Sequence, residues 1–173
     1  SISEGTDERN RLYFKTANDK TFKPIIDELR AAYSLIGYKD GLFWFYTTEN
    51  AKNGKVVSLE INGSDFIWKE VVPEKQNNIS SISLINNNFV INYIVDTFSE
   101  IYFYTLNGDL INKLEGFEES TISGFGGNIE DQKTYFSINN FIKPKEIYEI
   151  DLTTLQTSLF WKEDLKNYDP NEF

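Results

Sequence analysis

Residues 100–110 read Glu100-Ile101-Tyr102-Phe103-Tyr104-Thr105-Leu106-Asn107-Gly108-Asp109-Leu110. They predict a β-strand, a tight turn at Asn107-Gly108 and the start of a second strand. Asn-Gly between β-forming residues is the strongest short-range hairpin signal, because both residues tolerate the positive φ that such turns require. The sequence therefore predicts an antiparallel hairpin here.

The same pattern recurs along the chain at nearly constant spacing. The four copies are Arg11–Thr16, Lys55–Ile61, Glu100–Leu106 and Glu146–Leu152. Their starts are about 44, 45 and 46 residues apart, a spacing typical of one four-stranded propeller blade. Because each copy is followed by a short polar turn and one more strand, we predict an all-β repeat protein.

The hydrophobic pattern divides the chain into about three and a half four-stranded antiparallel blades, that is, a partial β-propeller. Residues 1–30 are expected to be the second half of an incomplete blade, whose first half precedes Ser1. Residues 31–73, 79–116 and 120–161 are predicted to be whole blades, and 162–173 a linker. Leu42–Tyr46 is apolar on both faces, which suits a strand covered on two sides. Asp27–Tyr33 is the best helix candidate, and it fits equally well a bend between blades.

Composition excludes several classes of partner. The 173 residues carry a formal net charge of −10, whereas nucleic acids and anionic membrane surfaces attract basic patches. No apolar run approaches the length of a transmembrane helix, and no signal peptide precedes the first strands. The sequence contains no methionine, not even at position 1, which suggests that the chain begins inside a longer polypeptide.

The absence of histidine and cysteine limits the chemistry. The sequence has no His and no Cys, so it holds no Ser-His-Asp triad, no Cys-His dyad and no His/Cys zinc site. The 27 acidic residues include no pair whose spacing marks a glycosidase-type site. We therefore predict no catalytic residue, no metal site and no cofactor in these residues.

Two loops resemble ligand sites only superficially. Ser123–Asn128 is rich in glycine but lacks the spacing and the following helix of a phosphate-binding loop. We interpret its glycines as packing near the crowded propeller axis. Asn62–Asp65 offers oxygen ligands without calcium-loop spacing, so a β-turn is favoured. The many aromatic residues repeat at blade spacing, which favours packing between blades over a carbohydrate-binding face.

Three segments resemble one family, the prolyl oligopeptidases, in the order that the family has them. Ser1–Leu12 resembles the pattern S-I-x-E-G-x-D-x-x-N-x-L, Trp68–Glu74 resembles W-K-x-x-V-P-E, and Phe141–Leu152 resembles F-x-x-P-x-x-I-Y-x-x-D-L. Together they span nearly the whole chain. The set is similar to the later part of the propeller domain of this family.

The resemblance implies a parent serine peptidase that cleaves short peptides after proline. In this family a seven-bladed propeller covers an α/β-hydrolase domain and admits only small peptides. The resemblance implies that this domain of the same parent chain and short proline-containing peptides are the partners, with the catalytic residues beyond Phe173. It implies a cytoplasmic enzyme, or a periplasmic one if the parent carries a signal peptide.

The resemblance implies two substrate-pocket positions. An arginine and a cysteine line the substrate cleft in the family, and Ser3 and Thr6 stand at the matching positions here. This sequence has neither the arginine nor the cysteine at these positions, so a charge-based role for Ser3 is not expected.

Other functions stay open at this point. The alternative is a free-standing propeller-like interaction module with no enzyme attached, since a fold alone does not choose a function. A carbohydrate-binding domain is a third reading. Because a partial propeller exposes the apolar faces of its end blades, we also expect the isolated chain to self-associate.

Overall fold

The computed structural model describes residues 1–139 and 144–164, which form fifteen β-strands. Within this part of the chain no helix is long and apolar enough to cross a membrane. The all-β prediction is confirmed, and Asp27–Ala32 forms bends that lead into a strand rather than a helix. Most of the predicted linker, residues 165–173, lies outside the described residues. The chain divides into two compact units, Ser1–Gln76 and Asn77–Phe173.

The first unit contains two antiparallel sheets in which strands follow one another in chain order. One sheet has three strands: β1 (Ile2–Ser3), β2 (Asn10–Phe14) and β3 (Lys23–Ile26). The other has four: β4 (Tyr33–Lys39), β5 (Leu42–Thr47), β6 (Lys55–Asn62) and β7 (Asp65–Val72).

The second unit contains two four-stranded antiparallel sheets with the same sequential order. The first comprises β8 (Asn78–Ile85), β9 (Asn88–Val95), β10 (Phe98–Thr105) and β11 (Leu110–Lys113). The second comprises β12 (Thr121–Gly124), β13 (Lys133–Asn139), β14 (Glu146–Asp151) and β15 (Thr157–Lys162).

The predicted repeat is visible as one recurring strand. Its four copies fall on β2, β6, β10 and β14. In the three four-stranded sheets the first residue of the copy forms an ion pair with the outermost strand. The pairs are Lys55–Glu70, Glu100–Lys113 and Glu146–Lys162, at 3.1, 2.5 and 2.9 Å. Since partly exposed pairs contribute about 0–1 kcal/mol each, they favour register more than stability.

Each unit has an apolar core between its two sheets. In the first unit buried side chains from β2, β3, β4, β5 and β6 meet, among them Leu12, Tyr33 and Leu59. In the second unit the core is centred on Phe103 and Phe136, each 1% exposed. Because alternate residues of a strand point to opposite faces, the central strands bury side chains on both sides, as Leu42–Tyr46 predicted.

A buried asparagine holds the two sheets of the first unit together. The Asn10 side-chain amide donates to the Tyr33 carbonyl oxygen at 2.8 Å, and its Oδ1 accepts from the Tyr33 amide at 2.7 Å. The Asn10 main-chain N–H also donates to the Ala31 carbonyl, at 3.1 Å. Asn10 is only 8% exposed, so these bonds form away from water. We call this arrangement a main-chain clamp.

Two further clamps reach the same distance along the chain. The Asn53 amide donates to the Gln76 carbonyl at 2.9 Å, and Ser99 Oγ accepts from the Ile122 amide at 3.0 Å. In each case a main-chain group 23 residues after the side chain is held. The Asn53 amide also donates to the Lys75 carbonyl at 3.0 Å, and its bond to Gln76 is exposed. The buried form of the clamp therefore recurs at Asn10 and Ser99, each of which directly precedes a copy of the repeat.

The Asn107-Gly108 turn differs from its prediction as a tight two-residue hairpin. Thr105 and Asp109 flank a three-residue loop, in which the Gly108 amide donates to the Thr105 carbonyl at 3.0 Å. Thr105 Oγ1 accepts from the amides of Asn107 and Asp109, at 3.3 and 3.1 Å. These bonds favour the longer loop, and only Gly108 needs a positive φ, of 91°.

Three other hairpins have two-residue loops with positive φ at both positions. They are Asp40-Gly41, Asn86-Asn87 and Asp96-Thr97. Glycine and asparagine tolerate this region, whereas a β-branched residue there is strained. Thr97 has φ 84°, so it stores strain in the β9–β10 turn.

Replacing Thr97 with glycine should stabilise the chain by about 1 kcal/mol. The change removes strain of about 1–3 kcal/mol and adds about 0.5–1 kcal/mol of glycine entropy cost. Thermal unfolding followed by circular dichroism measures the effect. Gly41→Thr is the matched control: it occupies the same turn position, has open space around it and should destabilise. A lower melting temperature for Thr97→Gly would contradict the strain.

Replacing Asn10 with alanine should destabilise the first unit by roughly 2–4 kcal/mol. The substitution leaves the buried N–H and C=O of Tyr33 without these partners, and an orphaned buried group costs about 1–3 kcal/mol. Urea unfolding followed by the fluorescence of Trp44 and Trp68 reports on this unit. The exposed Asn18→Ala is the control and should change stability by less than about 0.5 kcal/mol. Equal effects of the two substitutions would refute the clamp.

Candidate functional site

The two sequence-predicted site residues lie at the β1–β2 connection. Ser3 pairs with Asn10 in the short β1–β2 ladder. Thr6 lies in the turn that follows, which is closed by a bond of 3.1 Å from the Asp7 amide to the Glu4 carbonyl. Both side chains are exposed, and Gly5 supplies the positive φ of 59° that this turn uses.

Ser3 lines a cleft of about 580 Å³ between the two sheets of the first unit. Thr6 is not among the lining residues. Polar side chains lie at the β1–β2 side: Ser1, Ser3, Asp7, Glu8 and Asn10. Apolar and aromatic side chains from β2, β3, β4, β5 and β6 form the walls, among them Leu12, Phe14, Leu35, Phe43 and Phe45. A concave, mostly apolar site with a few polar groups is the usual form of a binding pocket.

One wall of the cleft is β2, which pairs with β1 through Ile2 with Arg11 and Ser3 with Asn10. This short ladder places the hydroxyl of Ser3 beside the buried Asn10 at the rim of the cleft.

An acidic and basic pair shapes the mouth of the cleft. Arg9 donates from Nε to Asp7 Oδ1 at 2.9 Å, and its terminal nitrogen lies 2.6 Å from Oδ2. The side-chain and main-chain hydrogen bonds from Arg9 lower the pKa of Asp7 from 3.8 to about 2. Asp7 is therefore ionised throughout the physiological range, and Arg9 is held beside it.

A second network joins the β1–β2 loop to the β3–β4 connection. Arg11 donates to Glu4 Oε1 at 2.6 Å and to the Asp27 carbonyl oxygen at 3.1 Å. Tyr13 donates its hydroxyl to the Asp27 carboxylate, and this bond raises the pKa of Tyr13. The hydrogen bond to Glu4 raises the pKa of Arg11. These groups bind one another and leave no free nucleophile or base among them.

The glycine-rich segment of the second unit is structural. A Cβ on Gly124 would lie 2.7 Å from the Tyr135 carbonyl oxygen and 2.9 Å from Phe136 Cα. Phe125 stacks on Phe136, with ring centroids 5.1 Å apart. This close approach of main chain supports the packing interpretation of Ser123–Asn128. Asn62–Asp65 forms the β6–β7 turn, as predicted.

Across residues 1–139 and 144–164, no group of three or more Asp or Glu side chains is arranged to hold a metal ion. The cleft in the first unit offers a ligand apolar walls and a polar rim. The structure places Ser3 in that rim and leaves Thr6 outside it.

Sequence reasoning missed the cleft walls and the clamp residue Asn10. The walls come from five strands, and no local pattern indicates which faces meet. Asn10 could have been found, because it directly precedes the first repeat copy just as Ser99 precedes the copy at Glu100. Two polar residues at equivalent repeat positions are a signal of a shared structural role.

Comparison with known families gives one match across nearly the whole chain. The family described as prolyl oligopeptidase, N-terminal beta-propeller domain, matches residues 1–163. Curated prolyl endopeptidases of Elizabethkingia miricola and Elizabethkingia meningoseptica are each 26% identical over 166 residues. The match covers 95% of this chain and 23% of each relative, so the chain spans about a quarter of their length.

Comparison with solved structures gives the same fold. A prolyl endopeptidase structure superposes with a TM-score of 0.84 at 24% identity, over 95% of this chain and 24% of that one. Prolyl oligopeptidase B of Galerina marginata superposes with a TM-score of 0.83 at 20% identity, over 96% of this chain and 25% of that one. The prediction of a partial β-propeller is confirmed.

Substituting Arg9 should change the titration of Asp7. With Arg9 present, the pKa of Asp7 in the folded chain is about 2, below the ordinary value of 3.8 that applies to the unfolded chain. The Asp7–Arg9 pair therefore stabilises the fold fully above pH 3.8. That contribution is lost as pH falls through 2. Carboxyl-carbon NMR should give an Asp7 pKa near 2 in the native chain and a value closer to 3.8 in Arg9→Gln. Arg30→Gln, which breaks the separate Arg30–Glu49 pair, is the control and should leave Asp7 unchanged. An unshifted Asp7 in Arg9→Gln would contradict this origin of the pKa.

Proposed function

Because this chain belongs to the family of prolyl oligopeptidase N-terminal β-propeller domains, we propose that it filters substrates for a serine peptidase that cleaves short peptides after proline. The observation that carries the proposal is the family match over residues 1–163. The curated relatives matched over 95% of this chain are prolyl endopeptidases about four times its length.

The chain itself takes no part in bond cleavage in this proposal. It contains neither His nor Cys, and a serine nucleophile needs a neighbouring base to be activated. The catalytic residues belong to an α/β-hydrolase domain of the same parent chain. The propeller is then the partner that decides which peptides reach that domain.

Filtering is a function of shape rather than of reactive groups. The blades 31–73, 79–116 and 120–161, with the second half of another blade at 1–30, form part of a ring that only short chains pass. Gating by a propeller needs rigid sheets and positioned connections, and the main-chain clamps support such rigidity. Short proline-containing peptides are the substrates, and the enzyme acts in the cytoplasm.

Ser3 and Thr6 contribute to the substrate pocket in this proposal. Ser3 lies on the rim of the cleft in the first unit, and its hydroxyl offers one donor and two acceptor sites. Thr6 lies in the adjoining turn, from which it can meet a peptide that extends past the rim. Both contacts are polar and uncharged.

The isolated chain is expected to self-associate, as its sequence predicts. The outermost strand β15 has large exposed side chains, and Phe160 is 64% exposed. Tyr135 lies beside it, with ring centroids 4.9 Å apart. A contiguous exposed apolar patch of this kind favours association.

The proposal is tested with two proteins, the parent polypeptide that contains this chain and the chain alone. The parent should cleave a short chromogenic proline peptide and leave a folded proline-containing protein intact. The chain alone should cleave neither, because it lacks a base and a nucleophile pair. Product release measured by absorbance and by mass spectrometry distinguishes these results.

The matched control is the parent's catalytic domain without residues 1–163. It should lose the discrimination against large substrates if the propeller is the filter. Unchanged discrimination would contradict the filtering function. A parent without peptidase activity would favour the alternative, a propeller that serves as an interaction module.

A further inference from the structure

The loop between β1 and β2 comprises residues 4–9. Its outermost part, which we call the crown, forms hydrogen bonds mainly with other residues of the loop. The Asp7 amide donates to the Glu4 carbonyl, and the Arg9 side chain donates to the Asp7 carboxylate. These bonds shape the loop without fixing its position against the sheets. Its base is held by the buried clamp at Asn10. The position of the crown therefore depends on contacts that leave the loop.

Arg11 makes such a contact. Its guanidinium donates to the Glu4 carboxylate at 2.6 Å and to the Asp27 carbonyl oxygen at 3.1 Å. Glu4 is in the loop, and Asp27 directly follows β3. The side chain of Arg11 is 27% exposed and that of Glu4 is 61% exposed. One planar, permanently charged group thus bridges two separate connections.

Arg11 does not line the cleft, but the loop that it holds does. Asp7 and Glu8 of this loop line the cleft together with Ser3 and Asn10. Moving the loop changes the polar rim without changing the apolar walls. This separation of roles distinguishes a residue that places the rim from one that touches a ligand.

We propose that Arg11 is a positioning residue that sets the mouth of the cleft by tying the loop 4–9 to the β3–β4 connection. The inference rests on the proposed function, because only that function makes the cleft a place where a peptide substrate binds or passes. Arg11 acts on substrate capture through the loop and takes no part in bond cleavage. Lysine cannot replace it fully, since an ammonium lacks the fork that reaches both acceptors.

The effect should be moderate, because both ends of the bridge are partly exposed. Exposed ion pairs of this kind shift an equilibrium by about two- to fivefold. Arg11→Gln in the parent enzyme should therefore raise KM for a short proline peptide by about two- to fivefold and leave kcat unchanged. Amide hydrogen exchange of residues 4–9 in the chain should become faster by a similar factor.

Two variants serve as checks. Glu4→Gln removes the other end of the same bridge and should reproduce both effects, and it keeps the test decisive if Arg11→Gln folds poorly. Lys55→Gln breaks an ion pair of 3.1 Å between β6 and β7 in the first unit, whose side chains are 17% and 51% exposed. It should change neither KM nor the exchange of residues 4–9.

Two results would overturn the proposal: an unchanged KM in both Arg11→Gln and Glu4→Gln, or a raised KM with unchanged exchange of the loop. A parent enzyme that cleaves no proline peptide would instead remove the proposed function. The exchange measurement on the chain would then still decide whether Arg11 holds the loop.

Discussion

The structure depends on one repeated constraint: the main chain that enters a sheet must be held by the preceding repeat. A strand that begins at a buried position has polar groups that its own ladder does not satisfy, and such groups are costly if left alone. Asn10 meets this requirement for Tyr33 by donating and accepting at once. Ser99 does the same for Ile122 with a hydroxyl, assisted by the amide of Asn92. Both side chains hold main chain 23 residues further on, and both directly precede a copy of the repeat, so the buried clamp occupies an equivalent position in the two sheets.

Strand positions could be predicted from the sequence because burial on alternating faces leaves a period of two in each strand. The repeat at Arg11, Lys55, Glu100 and Glu146 was visible for the same reason, since each copy meets the same neighbours. The turn at Asn107-Gly108 was predicted too tight, because the two side-chain acceptor bonds of Thr105 are a tertiary detail that residue preference does not encode. The cleft was hidden for a different reason. Its walls come from strands far apart in sequence, so their meeting depends on packing between sheets.

The chemistry of the residues separates recognition from reaction. The sequence contains neither His nor Cys, and two carboxylates at the β1–β2 loop are paired with arginines. Arg9 neutralises Asp7, and Arg11 meets Glu4. The cleft offers a ligand its shape, its apolar surface and the polar groups of its rim. These are properties of shape and packing, in a chain that belongs to a family of propeller domains and resembles about a quarter of the length of prolyl endopeptidases.

The two kinds of contact at the β1–β2 connection differ in strength and in sensitivity to solvent. The Asn10 clamp is buried, so water does not compete for its hydrogen bonds and salt does not screen them. The Arg11–Glu4 bridge is partly exposed, so its energy is small and falls as ionic strength rises. The base of the loop is therefore fixed under all conditions in which the first unit is folded, whereas the crown responds to salt and to nearby charge. The rim can therefore move without loosening the sheets, because the weak contact breaks well before the strong one.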